Sequence, residues 1–391
     1  MSLSALETIK ERRPEFDAIR HDIHAHPELG LEEHRTAELV ASKLESWGIE
    51  VHRGIGKTGV VGVLRRGNGD RAIGLRADMD ALPMNEASGR AWSSTTPGMM
   101  HACGHDGHTT MLLAAAQYLA DTRNFSGTVN FIFQPAEEGL GGAQAMLRDG
   151  LFERFPCDSV YGLHNQPDLP VGEFLMTPGP AMAGGGFFDI ILTGVGAHAA
   201  RPQAGVDPVI AVCQLVIALQ TIVSRTVAPG DPVVLSITKL GGGDAYNVIP
   251  QTASFGGTYR CMSRTTMQQV RERIERMTHE LAAGFGVKAE VKFGEIFAPL
   301  INNPKNTELA AEVAASIVGA DAVNARAPAV TGSEDFSFML EKVPGAFIRV
   351  GNGHTAGLHH PAYDFNDEAI PYGAALLAGL VEKSLSQDTF E

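Results

Sequence analysis

Cysteine is scarce in this chain: Cys103, Cys157, Cys213 and Cys261 are the only four among 391 residues, and each stands alone. That scatter excludes a disulfide framework and suits free thiols in a reducing compartment, for which a bacterial-type cytoplasm is the default. Positive charge is also thin, with 31 Lys and Arg against 45 Asp and Glu, a formal net charge of -14. Nucleic acid and anionic membrane surfaces are therefore not expected as partners, because both are recognised by clustered cations. No apolar run reaches the ~20 residues of a membrane span. The most apolar window, 209–223, is interrupted by Gln214 and Gln220 and reads as a buried helix. Glu7, Lys10, Glu11, Arg12 and Arg13 occupy the region where a secretory signal would carry its apolar core, so no signal peptide is expected. Internal repeats and low-complexity stretches are absent.

What the chain does have is a concentration of ligand-type side chains. His101, Cys103, His105, Asp106 and His108 fall within eight residues, with Gly104 and Gly107 freeing the backbone. Cys103 and His105 carry the atoms that borderline-soft cations prefer, and their spacing across a glycine lets both reach one ion. A self-contained structural zinc knot would need a second pair nearby, which the sequence lacks, so further ligands must come from elsewhere.

At this length about two domains are expected. Residues 4–48 read as two helical stretches interrupted around Pro27 and Gly30, with His21, His24 and His26 as surface or capping histidines. Strands are expected at 60–64, 72–77, 129–133, 159–163 and 346–350, and helices at 109–120, 307–318 and 372–384. This alternation predicts an α/β domain with a mostly parallel sheet flanked by helices, in which ligands gather beyond the carboxyl ends of the strands. Asp78, Asp80, Glu137, Glu138 and His164 all fall at such ends. Between 184 and 297 the order becomes βαββαβ, the ferredoxin-like α+β unit, with strands at 187–193, 233–239, 253–260 and 287–293 and helices at 208–225 and 266–285. The expected division is a catalytic domain of residues 1–183 and 298–391 with an inserted domain of 184–297, whose entry and exit lie side by side.

Glu137 and Glu138 are adjacent carboxylates at a strand end, so one can bind metal while its neighbour faces the reacting centre as a general base. His359 and His360 follow the strand at 346–350 through a glycine-containing loop, and a histidine there is of the type needed to complete a metal site.

The motifs RADMDALP (76–83), MHACGHDGHT (100–109), QPAEEG (134–139), GLH (162–164), GAHAARP (196–202), NVIP (247–250) and GTYR (257–260) run through almost the whole chain. In this order they resemble the zinc-dependent peptidase and amidohydrolase family of carboxypeptidase G and aminoacylase, and within it the branch of hippurate hydrolase, N-acyl-amino-acid amidohydrolase and indole-acetyl-amino-acid hydrolase. The resemblance implies a metallo-exopeptidase-like fold in which Cys103, His105, Glu138, His164 and His359 hold a centre of two divalent metals. Zinc is the first choice, with manganese, cobalt and nickel as alternatives. His359 is preferred to His360 because it alone stands two residues before Pro361. Glu137 is implied as catalytic base and acid, and His198 of the inserted domain as a donor to the oxyanion in the partner subunit of a homodimer, for which the insert serves as lid and dimerisation domain. Asn247 and Arg260 are implied to bind substrate, and Glu334 to line the pocket. The chain departs from other branches by carrying Asp78 where they place a histidine ligand and Cys103 where they place a bridging carboxylate. Asp80 and Asp106 are then expected to orient ligands from behind.

The implied reaction is cleavage of the amide bond of N-acyl-L-amino acids, hippurate-like or N-acetyl. Alternatives are a dipeptidase or aminopeptidase, a non-catalytic binder of metal or N-acyl amino acid, and a cysteine hydrolase with Cys103 as nucleophile partnered by His105.

Overall fold

The computed structural model describes residues 4–386. Residues 1–3 and 387–391 of the expected catalytic domain lie outside the described residues. The chain divides into two compact units, one of Met1–Ala181, Ile301–Ala329 and Asp335–Glu391, the other of Met182–Leu300 and Val330–Glu334. In chain order the principal strands are β1 (Glu50–Ile55), β2 (Gly59–Arg66), β3 (Ala72–Asp78), β4 (Gly127–Gln134), β5 (Ser159–Gln166), β6 (Phe174–Leu175), β7 (Gly184–Thr193), β8 (Val233–Gly242), β9 (Thr252–Cys261), β10 (Lys288–Phe297), β11 (Val323–Asn324) and β12 (Gly345–Gly351).

In the first unit an eight-stranded sheet runs in the order β1-β2-β4-β3-β5-β12-β6-β11. Its centre is parallel: β3 pairs with β4 and β5, and β5 with β12. β1 and β2 add an antiparallel edge. β1 escapes the sequence pattern because Glu50, Arg53 and Gly54 are exposed at the sheet edge, so no apolar run marks it. The parallel strands are near-continuous apolar runs, buried along their length, as strands covered on both faces must be.

Helices α1 (Ala5–Glu11), α2 (Arg13–Ala25) and α3 (His34–Ser46) replace the two expected N-terminal stretches, because the first breaks at Arg12 and restarts with Pro14 in its first turn. Helix α4 (His105–Thr122) begins four residues earlier than expected, so His105 to His108 form its first turn rather than a preceding loop. Gly104 sets that start. Its backbone is left-handed at φ 86°, and a Cβ there would lie 2.4 Å from the Asn165 side-chain nitrogen and 2.5 Å from the Tyr363 hydroxyl. α4 is buried from His105 to Gln117, which makes it the central core helix and aims its N-terminus at the strand ends.

The second unit is a four-stranded antiparallel sheet, β8-β9-β7-β10, packed with helices Pro208–Thr226 and Arg264–Gly284. This is the βαββαβ arrangement. Its first and last strands pair, with Gly185 opposite Phe297, so chain entry and exit are neighbours. Helix Pro208–Thr226 corrects one expectation. It is long and apolar enough to cross a membrane by length and composition, at mean hydropathy 1.7, but only 28% of its 18-residue apolar window is buried. Ala211, Val212, Leu215, Leu219 and Ile222 join the core of this unit, while Ile210 and Ile217 are exposed. The glutamines do not bury the helix; they sit on its outer side, where both are exposed.

Candidate metal centre

The carboxyl end of β3 supplies two carboxylates with different duties. Asp78 is fully buried, accepts a hydrogen bond from Arg76 Nη1 at 2.8 Å, and lies 2.6 Å from His108 Nδ1. The far side of the His108 ring accepts the Asn165 backbone N–H at 2.9 Å. A backbone nitrogen can only donate, so His108 Nε2 carries no proton and Nδ1–H donates to Asp78. Burial pushes the Asp78 carboxyl up, but His105, Arg76 and His108 together hold it well below the usual carboxylate range. Asp78, His105 and His108 come within 4.8 Å of one another, yet both His108 nitrogens are already used.

Asp80, the second carboxylate, accepts from His105 Nδ1 at 3.2 Å and from the Glu138 backbone N–H at 2.9 Å. His105 Nε2 is buried without a hydrogen-bond partner. The ring is therefore braced on one side, while on the other Nε2 stands 3.7 Å from Asp78 Oδ2, the arrangement of an imidazole free to ligate a metal.

Cys103 Sγ lies 3.4 Å from His164 Nε2, and His164 Nδ1 donates to the Asn165 carbonyl at 2.7 Å, which leaves Nε2 unprotonated. Burial pushes the Cys103 thiol up and the His164 imidazole well down. On the other side of the sulfur, His359 Nε2 stands 3.2 Å from Glu138 Oε1. His359 holds a left-handed backbone at φ 62°, fixed by its N–H donating to the Ala102 carbonyl at 2.8 Å. His360 is occupied locally, its Nδ1 accepting from Ala362 N.

The ligand atoms fall into overlapping groups, each within 4.8 Å: Cys103, His105 and His164; Cys103, Glu138 and His359; His105, Glu137 and Glu138. The first two share only the Cys103 sulfur. A thiol, three imidazoles and a carboxylate converge here, with His105 Nε2 buried and without a hydrogen-bond partner, and this donor set fits a divalent cation.

Glu137 and Glu138 do not diverge through strand pleating, as the sequence pattern implied. Both lie in the turn after β4, entered through Ala136 at φ 52°. Glu137 is buried, and its Oε1 accepts the Asp335 N–H at 3.4 Å.

Two further expectations are corrected. Asp106 meets His24 at 2.8 Å and Arg20 at 3.5 Å rather than any expected ligand. As a residue of the first turn of α4 it points to the N-terminal helix instead of the metal pocket. Correspondingly, His24 is no surface histidine: it is buried between Asp106 and Glu86, 3.3 Å away, and its ring lies 6.2 Å from that of His101. Burial alone would lower its pKa, but the Asp106 and Glu86 carboxylates bring it up to about 9. His101 is buried with both ring nitrogens unpartnered, and burial takes its pKa down to about 4.

The other expected residues lie in the second unit. His198 is exposed on a short ribbon, Ala197–His198 paired with Val248–Ile249, and Asn247 is an exposed neighbour whose carbonyl accepts the Ala199 N–H at 3.0 Å. Arg260 lies half-buried on β9, its Nη1 on the Thr258 hydroxyl and the Tyr259 carbonyl, its guanidinium 5.9 Å from the Phe187 ring centroid. Glu334 is buried at the end of Val330–Glu334.

Several residues that shape the site carry little sequence signal. Asn165 donates to the Cys103 carbonyl at 2.7 Å and accepts from the Tyr363 hydroxyl at 2.8 Å, so it fixes the cysteine loop. Asp335 gathers Gln134 at 2.6 Å, Ala143 N at 2.9 Å and Arg76 at 3.3 Å. Glu33 reaches Ala136. The position of His164, one residue before Asn165 at a strand end, and the expectation that the stretch around Glu334, which includes Asp335, lines the pocket are the hints the sequence offers.

The sequence profile of Peptidase family M20/M25/M40 matches residues 74–383. Hippurate hydrolase of Campylobacter jejuni is 41% identical over 383 residues, spanning 98% of this chain and 100% of the relative. N-acetyl-L-cysteine deacetylase of Bacillus subtilis is 40% identical over 355 residues, 90% of this chain and 84% of the relative. Among solved structures, a dinuclear metal binding peptidase of the M20 family from Bacillus subtilis superposes with a TM-score of 0.85 at 34% identity, covering 96% of this chain and 99% of that one. The chain belongs to peptidase family M20/M25/M40.

Proposed function

We propose that this member of the M20/M25/M40 family is a metal-dependent amidohydrolase that cleaves N-acyl-L-amino acids, hippurate-like or N-acetyl, into a carboxylate and a free amino acid. The observation that carries the reading is the pair of ligand groups joined at one sulfur, Cys103 with His105 and His164, and Cys103 with Glu138 and His359, with Glu137 beside them. Cys103, His105 and His164 would hold one divalent cation and Cys103, Glu138 and His359 a second, two per subunit. The mix of thiol, imidazole and carboxylate favours zinc, and manganese, cobalt or nickel are the alternatives.

Bound divalent cations supply Lewis acidity, polarising the scissile carbonyl and making water easier to deprotonate. Glu137 takes the proton of the attacking water and returns it to the leaving amine. Asp80 keeps the His105 lone pair on Nε2. Asn165 holds the loop that presents Cys103. For the oxyanion we assign His198 as donor, acting on the site of a partner subunit in a homodimer. The insert, residues 184–297, is on this reading the lid and dimerisation domain, and 1–183 with 298–391 the catalytic domain. Asn247, Arg260 and Glu334 are assigned to substrate, Arg260 to a carboxylate for which its planar fork is suited. We assign the enzyme to a reducing cytoplasm, a reading that its four free cysteines support.

The C. jejuni and B. subtilis relatives are named for hydrolysis of hippurate and of N-acetyl-L-cysteine, which supports the N-acyl amino acid class. A cysteine nucleophile is disfavoured because burial raises the Cys103 thiol, the reverse of an activated thiolate. The test is release of amino acid from hippurate, N-acetyl amino acids and dipeptides by protein loaded with zinc, manganese, cobalt or nickel. Hydrolysis of the N-acyl substrates, stopped by chelator and restored by metal, is expected. Turnover of dipeptides alone would move the assignment to a peptidase, and no turnover with any metal would leave only a binding protein.

A further inference from the structure

The turn that carries Glu137 is fastened from the N-terminal segment by a carboxylate that the proposed reaction does not use. Ala136 has φ 52°, left-handed backbone that alanine keeps only when its surroundings fix it. Its N–H donates to Glu33 Oε1 at 2.8 Å, and the other Glu33 oxygen accepts the Thr58 hydroxyl. Glu33 is fully buried. The same segment lies flush against the turn: a Cβ on Gly30 would come within 3.0 Å of Ala136 Cα. On the far side of Gly30, the Glu28 carbonyl reaches the neighbouring strand end, accepting the Ala81 N–H at 2.8 Å next to Asp80. One N-terminal turn thus ties down both segments that bear Asp80 and Glu137.

We propose that Glu33 is a positioning residue for the general base Glu137. Its carboxylate holds the Ala136 peptide in the left-handed conformation, and that conformation sets the direction in which Glu137 leaves the backbone. Residue 33 stands outside the stretch 74–383 matched by the family profile. The inference rests on the assignment of Glu137 as base.

A backbone N–H can only donate, so position 33 must supply an acceptor at the right reach. Glu33→Gln keeps an acceptor oxygen, and the Thr58 hydroxyl can turn to accept from the amide. Glu33→Ala leaves a buried N–H unpaired and frees Ala136 to relax, and Glu33→Asp withdraws the acceptor by one methylene.

The test measures kcat, KM and bound metal per subunit on the full-length, metal-loaded protein. Leu376→Ala, in the core of helix Ile370–Ser384, serves as a control for general destabilisation. Expected for Glu33→Ala and Glu33→Asp are a fall in kcat of roughly 10–100-fold, KM within about twofold and unchanged metal content. Glu33→Gln should recover most of the loss. If Glu33→Ala fails to fold, the comparison of Glu33→Asp with Glu33→Gln decides. Wild-type kcat in Glu33→Asp, an equal loss in Leu376→Ala, or Glu33→Gln as poor as Glu33→Asp overturns the inference. Turnover by Glu137→Ala would instead overturn the assignment of the base on which it stands.

Discussion

Asp80 and His105 form a braced pair, Oδ1 to Nδ1 at 3.2 Å, that leaves His105 Nε2 buried without a hydrogen-bond partner. The second Asp80 oxygen takes the Glu138 N–H, so one carboxylate fixes the ring of one expected ligand and the backbone of another. Asp80→Asn removes the charge that braces the ring and should weaken metal binding roughly 10–100-fold with the fold intact. Competition with a chromophoric chelator measures it, and an unchanged affinity would show that Asp80 does not brace the ligand.

The two adjacent glutamates should separate cleanly. Glu137→Gln is expected to lower kcat by roughly 10²–10⁴-fold while the protein keeps its metal. Glu138→Gln is expected to lose metal, because Glu138 stands with Cys103 and His359. Metal analysis beside steady-state kinetics distinguishes them. Loss of metal from Glu137→Gln with retention in Glu138→Gln would reverse the two roles.

Much of this is legible in the sequence, and the gaps have a common cause. The parallel strands can be read because burial on both faces makes them apolar runs, and their carboxyl ends give Asp78, Asp80, Glu137, Glu138 and His164. The insert shows its six elements in order. What local pattern does not give is long-range pairing of buried polar groups. His24 meets Asp106 across 82 residues, Asp335 meets Gln134 across 201, and Glu33 meets Ala136 across 103. Asp106, Gln134 and Ala136 lie in motifs, but their partners His24, Asp335 and Glu33 do not, so no motif marks the pairing. Asp106 departs from expectation for the same reason: it adjoins His105 in sequence, but on the first turn of a helix adjacent side chains face different directions.

His24 makes a prediction about pH. Both ring nitrogens face carboxylates, Nδ1 on Asp106 and Nε2 on Glu86, so the folded protein holds an imidazolium. Arg20 faces the same Asp106. The folded pKa of about 9 lies above the ordinary histidine value of 6.5, so this stabilisation is complete below pH 6.5 and is lost as the pH rises towards 9. Glu86, held down to about 2, contributes stability above the ordinary carboxylate range and loses it on acidification towards that value. His24→Gln should therefore cost on the order of 1–3 kcal/mol at pH 6 and much less at pH 9.5. Chemical denaturation of the two proteins at both pH values checks it; an equal cost at both would mean that the charge of His24 contributes nothing.

Cys103 is the softest donor of the set, and its replacement should change which metal is held. Cys103→Ser keeps the size of the side chain but exchanges sulfur for a harder oxygen. Zinc affinity should fall more than manganese affinity, since thiolates favour zinc and oxygen ligands suit manganese. Titration of both metals into wild type and variant reads the difference. Equal losses for the two metals would argue against sulfur as a ligand.

His108 and His164 test whether hydrogen-bond accounting identifies ligands. They stand with ring centroids 4.5 Å apart, and by residue type either is a plausible ligand. His108 donates through Nδ1 to Asp78 and accepts through Nε2 from Asn165 N, so no lone pair remains for a cation. His164 donates through Nδ1 to the Asn165 carbonyl and turns Nε2 to the Cys103 sulfur. His108→Asn should keep the full metal complement and lose stability instead, because Asp78 and the Asn165 N–H are left buried without their partner. A loss of roughly 2–3 kcal/mol is expected, seen as a drop in Tm of roughly 5–10 °C. His164→Asn should keep most of its Tm in the metal-free form but bind less metal per subunit. Metal analysis and calorimetry on the two variants, with and without chelator, give four values. Loss of metal from His108→Asn at a wild-type metal-free Tm would make His108 a ligand and break the accounting.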